Sequence, residues 1–440
     1  MQSFSIYGKR IHFVGINGVG VNALAKYALA NGAVVSGSDR KLGDFCKPLI
    51  DAGCDIKEGE NLSALKEADA LVYTSAVSAD NPELLLAKQL GIAIFERHEF
   101  LNLIARDFER VVAISGSHGK TTVTAMVAHV LKMANANFAA MIGGDAINYS
   151  NFVNNTSGGK SIFVTEACEF RRHMLALDYD FAVLLNTDWD HPDTYQSREC
   201  IEQAFAEFLQ KGKTRVFQGG KNQVIAKCDD ETKIFEAEEI GGHARVFADG
   251  NFVGTFGENL KGEYNNKNAL FALATTRMLG VPVQVAIKAL NTFEGVKRRF
   301  ENVGDIDGVP VVFDFAHHPT EIKSVLRRAS AYGKILAVFQ PHTYSRTKAY
   351  LDDFAQVFAD ERAISVLILL PTYAAREPQN HEFDSDAIMA RILSKNAKQK
   401  VYVAENAMSS VEFAKIMAKD VGIVLFVGAG DIYDLKGCFC

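Results

Sequence analysis

Residues Val111 to Thr122 read VVAISGSHGKTT and carry the most informative motif of the chain. Val111–Ser115 is a short apolar run typical of a buried strand, and a long amphipathic stretch, Val123–Asn135, follows the loop. A glycine-rich loop between strand and helix, ending in Gly-Lys-Thr, is the context of a phosphate-binding P-loop. The strict Walker spacing requires a glycine at position 114. Because this chain has Ile114 there, the loop is a shortened variant.

The residue types in this loop suit the phosphates of a nucleotide. Backbone amides would hold the β- and γ-phosphates, the ammonium group of Lys120 would neutralise them, and the Thr121 hydroxyl would bind Mg²⁺. Because a coincidental GKTT in this context is rare, we predict that the chain binds ATP. The predicted ATP-binding residues of the loop are Gly116, Ser117, His118, Gly119, Lys120, Thr121 and Thr122.

Two acidic clusters follow two further apolar runs. Glu166 follows the run Ser161–Thr165, and His191 lies in the polar segment after Ala182–Leu185. Ligands of open α/β sheets bind at the carboxyl ends of parallel strands, so we expect Glu166 and His191 to lie close together beside the P-loop. With Thr121 and phosphate oxygens they would form a Mg²⁺ site, although imidazole is not the usual ligand of this hard ion. Each cluster taken singly is equally well interpreted as a solvated loop.

Another glycine-rich turn, Gly15–Gly20 (GINGVG), lies between the apolar run Ile11–Val14 and the amphipathic stretch Val21–Ala30. Its glycines permit a tight turn and let a phosphate approach the helix N-terminus. The next run ends at Ser38 and Asp39, and the carboxylate is suited to a ribose or sugar hydroxyl. The spacing differs from the dinucleotide pattern G-x-G-x-x-G, so a purely structural turn remains an alternative. A nicotinamide-dependent oxidoreductase is a further alternative, without a candidate hydride-transfer site downstream.

The composition of the chain excludes some classes of protein. The formal net charge of −6 over 440 residues argues against a protein that coats nucleic acid or anionic membrane. Seven cysteines without a CxxC pair fit reduced thiols in a cytoplasm. The first residues do not resemble a secretory signal, and the apolar runs are too short to span a bilayer. We therefore expect a soluble, cytoplasmic protein, either a monomer or a weak homodimer.

Apolar runs alternate with amphipathic stretches along the whole chain, which predicts an α/β fold with parallel sheets. The runs near Ile11, Val111 and Val311 would each open a sheet of their own. We therefore predict three domains, at residues 1–108, 109–302 and 303–440, with soft boundaries.

The combination of motifs resembles the Mur ligase family, and the resemblance covers essentially the whole chain. Beyond the P-loop and the acidic clusters, four segments carry it: Gly262–Ala269 (GEYNNKNA), Phe293–Phe300 (FEGVKRRF), Asp314–Glu321 (DFAHHPTE) and Gln340–Thr347 (QPHTYSRT). The resemblance implies a Rossmann-like N-terminal domain for a UDP-sugar, a central P-loop ATPase domain, and a Rossmann-like C-terminal domain for an amino acid.

Within the family, the chain is most similar to the ligases that join L-alanine to UDP-N-acetylmuramate in peptidoglycan precursor synthesis. The resemblance implies an ATP-dependent reaction with two Mg²⁺ ions. In that reaction the lactyl carboxylate attacks the γ-phosphate, and the amine of L-alanine then attacks the acyl phosphate. A recycling ligase that attaches an intact tripeptide shares most motifs and remains an alternative. From another class, a P-loop switch protein remains possible; its ATP turnover would not need both a carboxylate and an amine acceptor.

Residue by residue, the resemblance implies five sets of site residues: catalytic Lys120, Glu166 and His191; metal-binding Thr121, Glu166 and His191; ATP-binding Asn265, Asn268, Arg299 and Asp314 besides the P-loop; UDP-sugar-binding Gly15, Asn17, Gly18, Val19, Gly20, Ser38, Asp39 and Ser75; and amino-acid-binding His318 and Arg346. Many relatives have a second arginine where this chain has Thr343. We therefore expect the carboxylate of alanine to depend more heavily on Arg346, whose guanidinium can bind it through two hydrogen bonds.

Overall fold

The structure, a computed structural model, describes residues 4–156, 159–191, 194–240, 243–260, 262–375 and 377–439. The chain divides into two compact units. One comprises residues 1–190 and 197–294, and the other comprises residues 191–196 and 295–440. Among the described residues, no helix is both long and apolar enough to cross a bilayer. The predicted domain boundaries near residues 108 and 302 stay predictions.

The first unit begins with a five-stranded sheet whose strands are all parallel, in the order β3-β2-β1-β4-β5. Its strands and helices are β1 (Arg10–Val14), α1 (Val19–Ala30), β2 (Val34–Asp39), α2 (Lys47–Asp51), β3 (Asp55–Glu58), α3 (Leu62–Leu65), β4 (Ala70–Tyr73), α4 (Pro82–Leu90), β5 (Ala93–Glu96) and α5 (Arg97–Ala105). The register aligns Val14 with Ser38 and with Tyr73. The loops after these three strands therefore share one edge of the sheet.

A ten-stranded sheet follows in the same unit, in the order β15-β14-β13-β12-β11-β10-β6-β9-β7-β8. Its elements are β6 (Arg110–Ser115), α6 (Lys120–Met133), β7 (Phe138–Met141), β8 (Phe152–Asn155), β9 (Ile162–Glu166), β10 (Phe181–Leu184), α7 (Arg198–Lys211), β11 (Thr214–Gln218), β12 (Gln223–Cys228), β13 (Glu231–Ile240), β14 (His243–Ala248), β15 (Asn251–Phe256), α8 (Glu263–Met278) and α9 (Val283–Leu290), with 3₁₀ helices at Phe170–Leu175 and Glu258–Leu260. Strands β7, β9, β6, β10 and β11 are parallel, and β6 lies between β9 and β10.

The antiparallel part of this sheet is a finding that the sequence pattern did not predict. Strands β12 to β15 continue the sheet as hairpins, and β8 pairs antiparallel with β7 at the other edge. Strand β13 is mostly exposed or half-buried along its ten residues. Half-exposed strands contain no continuous apolar run, so a prediction of strands from such runs does not find them.

The second unit contains a six-stranded sheet in the order β16-β17-β21-β18-β19-β20, parallel except for the edge strand β16. Its elements are β16 (Glu301–Ile306), β17 (Val309–Asp314), α10 (Pro319–Ala329), β18 (Ile335–Phe339), α11 (Tyr344–Asp360), β19 (Ile364–Leu369), α12 (Ser385–Lys395), β20 (Val401–Val403), α13 (Ala407–Met417) and β21 (Ile423–Val427), with 3₁₀ helices at Ser330–Tyr332, His381–Phe383, Ala418–Asp420 and Asp431–Cys438. The side chains of Phe313 and Phe426 stack at 4.7 Å in the core beneath it.

Candidate active site

The P-loop has the strand–loop–helix form that its sequence predicted. Gly116 and Gly119 adopt φ angles of 132° and 86°, which L-residues rarely adopt. A Cβ added to Gly116 would lie 3.1 Å from the backbone nitrogen of Asn186, and a Cβ added to Gly119 would lie 3.0 Å from Asn268 Oδ1. Helix α6 starts directly after Gly119, at Lys120. The two glycines therefore permit the turn itself and also let neighbouring segments of the chain pack closely against it.

Asn186 holds the P-loop from the neighbouring strand. Its Oδ1 accepts the backbone N–H of His118 at 2.9 Å, and its Nδ2 donates to the His118 carbonyl at 2.9 Å. The Ser117 hydroxyl donates to the carbonyl of Asp188, two residues further on. These bonds satisfy loop groups that the strand and helix leave without partners. Asn186 was missed as a site residue, although its place directly after the predicted strand was a signal.

Lys120 is paired with a buried carboxylate. Its Nζ lies 2.9 Å from Glu169 Oε2 and also donates to the carbonyls of Gly116 and Ser117. Burial is the largest single influence and lowers the pKa of Lys120, but the negative charge of Glu169, its hydrogen bond to the ammonium group and the charge of Glu166 act together against burial and raise the pKa to about 12. The lysine is therefore a fixed positive charge at the loop. Glu169 was also missed; its signal was an acidic residue three positions after Glu166 in a segment that follows a buried strand.

Glu166 and Thr121 offer oxygen ligands from two elements next to the P-loop, strand β9 and helix α6. Glu166 ends β9, which pairs with β6, and its Oε1 accepts the backbone N–H of Gly143. A Cβ on Gly143 would lie 2.5 Å from that oxygen, so the contact requires glycine. Thr121 is half-buried in the first turn of α6. A carboxylate and a hydroxyl are ligands that Mg²⁺ accepts, so this donor set fits the predicted metal.

His191 lies in the segment that the chain division assigns to the second unit. It adopts a φ of 54°, and its carbonyl accepts the backbone N–H groups of Thr194 and Tyr195 at 2.8 and 2.9 Å. A left-handed conformation in a non-glycine residue is uncommon and concentrates at functional sites. The role of His191 as a metal ligand beside Glu166 stays a prediction.

Two of the predicted ATP-binding residues, Asn265 and Asn268, lie at the start of α8. Asn268 is buried, and its Oδ1 is the nearest side-chain atom to the Cβ position of Gly119. Asn265 is half-buried one turn earlier on the same helix. The structure therefore brings Asn268 to the P-loop, across about 150 residues of sequence, as an α/β sheet with crossover helices allows.

The N-terminal glycine-rich turn is held by the end of β2. The Ser38 carbonyl accepts the N–H groups of Gly15 and Ile16 at 2.9 and 3.1 Å. The Asp39 carboxylate accepts the Asn17 N–H at 2.8 Å. Gly18 caps helix α1, which begins at Val19. These predicted UDP-sugar residues thus form one connected turn at a helix N-terminus, which is a ready site for a phosphate group.

Two further features lie beside this turn. Ser75 follows β4 at the same edge of the sheet, and the Cβ position of Gly15 lies 2.8 Å from Thr74 Cγ2. The Cβ position of Gly20 lies 3.2 Å from Cδ of Arg97 at the start of α5. Gly15 and Gly20 therefore permit close packing here, and the arginine brings positive charge close to the turn.

Beside Arg97, three ionisable side chains lie together. Glu96 Oε1 is 3.5 Å from His98 Nδ1 and 3.6 Å from His173 Nε2. The two imidazole rings stack at 4.2 Å with 13° between their planes. Imidazole binds a metal through a lone pair in the ring plane, and two stacked rings do not direct such pairs at one ion. We therefore interpret this group as a packing contact that holds α5 against the 3₁₀ helix Phe170–Leu175.

In the second unit, Asp314 anchors the segment that precedes β16. Its Oδ2 accepts the Phe300 N–H at 2.7 Å and its Oδ1 accepts the Ala316 N–H at 2.8 Å. Burial raises the pKa of Asp314 to about 6, against the lowering effect of Arg299. Arg299 Nη1 lies 3.5 Å from Glu321 Oε1. The structure thus places Arg299 and Asp314 together, while their contact with ATP stays a prediction.

The two predicted amino-acid residues lie on neighbouring helices. His318 caps α10, accepting the Thr320 N–H at its Nδ1, and its ring packs edge-on against Tyr350 at 4.7 Å. Arg346 is buried in the first turn of α11, one turn before Tyr350. Thr343 caps this helix with a φ of 65°, a strained conformation for a β-branched residue. Tyr350 therefore connects His318 to the face of α11 that carries Arg346.

Three family models match consecutive parts of the chain: the Mur ligase family catalytic domain at residues 10–109, the Mur ligase middle domain at 114–276, and the Mur ligase glutamate ligase domain at 298–430. A curated UDP-N-acetylmuramate–L-alanine ligase from Caldanaerobacter subterraneus subsp. tengcongensis is 36% identical, over 97% of this chain and 96% of that protein. The chain belongs to the Mur ligase family.

Solved structures support the same fold for this Mur ligase. The crystal structure of UDP-N-acetylmuramate-alanine ligase MurC from Thermotoga maritima matches with a TM-score of 0.77 and 25% identity, over 98% of both chains. A murein peptide ligase from Psychrobacter arcticus matches with a TM-score of 0.65 at 22% identity, over 98% of both chains, and shows the fold alone. The predicted family, the α/β fold class and the assignment as a ligase are confirmed.

Proposed function

We propose that this Mur ligase joins the lactyl carboxylate of UDP-N-acetylmuramate to the amine of L-alanine, in peptidoglycan precursor synthesis, with conversion of ATP to ADP and phosphate. The observation that carries the proposal is the similarity along nearly the whole chain to relatives named UDP-N-acetylmuramate–L-alanine ligase, at 34–36% identity. The glycine-rich turns and the P-loop lysine fit the two anionic substrates that this reaction brings together.

The first step joins two anions, so its main barrier is electrostatic. A carboxylate oxygen attacks the γ-phosphorus, and the bond from the γ-phosphorus to the β–γ bridging oxygen breaks. The products are ADP, which is the leaving group, and an acyl phosphate. Lys120 supplies a fixed positive charge at the P-loop, and backbone amides at the start of α6 supply further donors. Because Lys120 stays protonated throughout the physiological pH range, it stabilises charge without transferring a proton.

Thr121 and Glu166 would hold Mg²⁺ beside these phosphates, and His191 is the further ligand that we propose. When bound, the ion would neutralise charge that builds up on the transferred phosphoryl group. Glu169 and Asp190 are buried, and their carboxylate oxygens lie within 4.8 Å of each other. This acidity increases the need for a cation in the same place, which Lys120 partly meets in the structure.

In the second step the amine of L-alanine attacks the acyl carbon, forms the amide and expels phosphate. We propose that Arg346 binds the carboxylate of the incoming amino acid. A buried guanidinium can hold a carboxylate by two parallel hydrogen bonds and so fix the direction of the amine. Nearby, burial and the charge of Arg346 lower the pKa of His342 to about 4, so this imidazole is neutral at pH 7 and does not compete for the carboxylate.

The experiment that tests the proposal is ADP release by the purified protein with ATP and Mg²⁺. UDP-N-acetylmuramate is added with L-alanine, without an amino acid, or with the tripeptide L-alanyl-γ-D-glutamyl-meso-diaminopimelate. We expect release that requires both the UDP-sugar and L-alanine. Release only with the tripeptide would favour the recycling activity, and ADP release that needs neither acceptor would favour a P-loop switch protein.

A further inference from the structure

A buried group of polar side chains lies behind the N-terminal glycine-rich turn. Glu83, on α4, is 1% exposed, and His12, on β1, is fully buried. His12 Nε2 lies 3.0 Å from Glu83 Oε1, and His12 Nδ1 lies 2.8 Å from Ser36 Oγ. The Ser38 hydroxyl donates to Glu83 Oε2 at 2.7 Å, and the Asn61 N–H donates to Oε1 at 2.9 Å. One carboxylate, on α4, is therefore hydrogen-bonded to strand β1, to strand β2 and to the residue that caps α3.

Packing alone does not explain a carboxylate at this position. Burying a charge costs free energy unless hydrogen bonds replace its water, and an apolar side chain would avoid that cost. Leu84 and Ala87, on the same helix, belong to the apolar core. Burial raises the pKa of Glu83, but its hydrogen bonds from His12, Asn61 and Ser38 outweigh burial and lower it. Glu83 is therefore ionised at neutral pH.

Ser38 connects this group to the turn. Its hydroxyl is bound to Glu83, while its carbonyl accepts the N–H groups of Gly15 and Ile16. The next residue, Asp39, accepts the Asn17 N–H. The group is therefore hydrogen-bonded to Ser38, which holds the turn and directly precedes Asp39, although Glu83 and His12 are themselves buried away from solvent.

We propose that Glu83 and His12 are positioning residues for the UDP-sugar site, acting through Ser38 and Asp39 on the glycine-rich turn. This inference rests on the proposed function, because that function assigns the UDP-sugar to the turn. Neither residue touches substrate. Their effect is on the affinity for the UDP-sugar and leaves the chemistry at the P-loop unchanged.

The test compares Glu83→Ala with Glu83→Gln by steady-state kinetics. In Glu83→Ala the donors of His12, Ser38 and Asn61 lose their acceptor, and we expect the KM for UDP-N-acetylmuramate to rise about tenfold or more. We expect kcat and the KM for ATP to stay within about twofold. In Glu83→Gln the amide oxygen still accepts from His12 and Asn61, and its NH₂ donates to Ser38 once that hydroxyl turns. The KM for the UDP-sugar should then stay within about threefold of the parent value.

His12→Phe tests the second residue, because it keeps a ring of similar size and removes both ring nitrogens. We expect the same KM to rise about threefold to tenfold, since Glu83 retains two of its three donors. The matched control is Leu65→Ala, which removes a fully buried side chain from the apolar core beside the same sheet and keeps every hydrogen bond of the polar group, including the backbone bond from Leu65 to Asn61. All variants are measured well below their own melting temperatures.

A rise in the KM for the UDP-sugar in Glu83→Ala but not in Leu65→Ala supports the positioning role. The role is refuted if Glu83→Ala stays within about twofold of the parent KM, or if Leu65→Ala raises it equally. Calorimetric titration with UDP-N-acetylmuramate alone separates this inference from the proposed function. Binding that Glu83→Ala weakens would support the inference even without ADP release. A parent protein that does not bind the UDP-sugar would overturn it.

Discussion

The two glycine-rich turns, Gly15–Gly20 and Gly116–Gly119, have the same local plan and different surroundings. Each follows a strand that has a parallel neighbour on both sides, and each leads into a helix of at least twelve residues. The first turn is held by a carbonyl and a carboxylate from the end of β2. The second is held by Asn186 and carries Lys120, paired with the buried Glu169.

This difference separates binding from chemistry. A turn that offers only amide groups can bind an anion, and it stabilises substrate and transition state to a similar degree. A turn that adds a fixed cation where charge develops stabilises the transition state more. We therefore expect substitutions at the first turn to change KM for the UDP-sugar, and substitutions at the second to change ATP use and kcat.

The largest effect is expected for Lys120→Ala. Loss of the ammonium group should lower kcat by about 10³-fold or more, because no other group at the loop replaces its charge. The measurement is ADP release at saturating substrates. The single variant also leaves Glu169 buried without its cation, which lowers stability.

The double variant Lys120→Ala/Glu169→Gln is the control for that loss of stability. We expect it to regain thermal stability relative to Lys120→Ala while remaining inactive. If the double variant recovered turnover to within about tenfold of the parent, the lysine would be structural and the contrast between the turns would fail.

A smaller effect is expected for Asn186→Ala, which removes both side-chain bonds to His118. Loosening the P-loop should raise the KM for ATP by about tenfold to fiftyfold and leave the KM for the UDP-sugar near its parent value. Asn155→Ala is a matched control, since it removes a side-chain bond to the Ala136 carbonyl elsewhere in the same sheet. An equal change in both Michaelis constants would contradict a role confined to the second turn.

At the first turn, Asp39→Asn should raise the KM for UDP-N-acetylmuramate by about fivefold to tenfold with little change in kcat, because a charge-assisted bond to Asn17 is weakened. Asp69→Asn is the matched control: its carboxylate accepts the Arg10 N–H at the opposite end of β1. A fall in kcat as large as the rise in KM would show that this turn contributes to chemistry, and would remove the contrast.

The smallest effect concerns the contact between α5 and the 3₁₀ helix Phe170–Leu175, where the rings of His98 and His173 stack. Burial lowers the pKa of His173 to about 4, with further lowering by His98 and Arg97. In the unfolded chain a histidine has a pKa of about 6.5. The unfolded state therefore takes up a proton first as pH falls, so this contribution to stability is complete above about pH 6.5 and is lost towards pH 4.

We expect the melting temperature to fall as pH drops through that window, and His173→Gln to reduce the fall by a few degrees, with thermal unfolding as the measurement. Some dependence of the melting temperature on pH should remain in His173→Gln, because the lowered pKa of His342 also reduces stability as pH falls. Identical pH profiles for the two proteins would show that the stacked pair does not titrate on unfolding.

Much of the fold was predictable from apolar runs and glycine-rich loops. The P-loop strand was predicted at Val111–Ser115 and spans Arg110–Ser115. It could be predicted because most of its residues are apolar, several are β-branched, and a glycine-rich loop follows them. The family and the α/β class, predicted from the same motifs, are confirmed. Strands β12 to β15 were not predicted, because their apolar residues alternate with exposed ones and are decided by pairing with neighbouring strands.

The local elements could be predicted from the residues along the chain: where a strand is followed by a helix, which loop carries a lysine, and which family has this order of motifs. The contact partners of these residues follow only from the folded structure. Lys120 meets Glu169 across 49 positions, Asn186 meets His118 across 68, and His12 meets Glu83 across 71. These partners meet because a parallel sheet orders its strands differently from the chain, so that residues far apart in sequence lie at the same edge of the sheet.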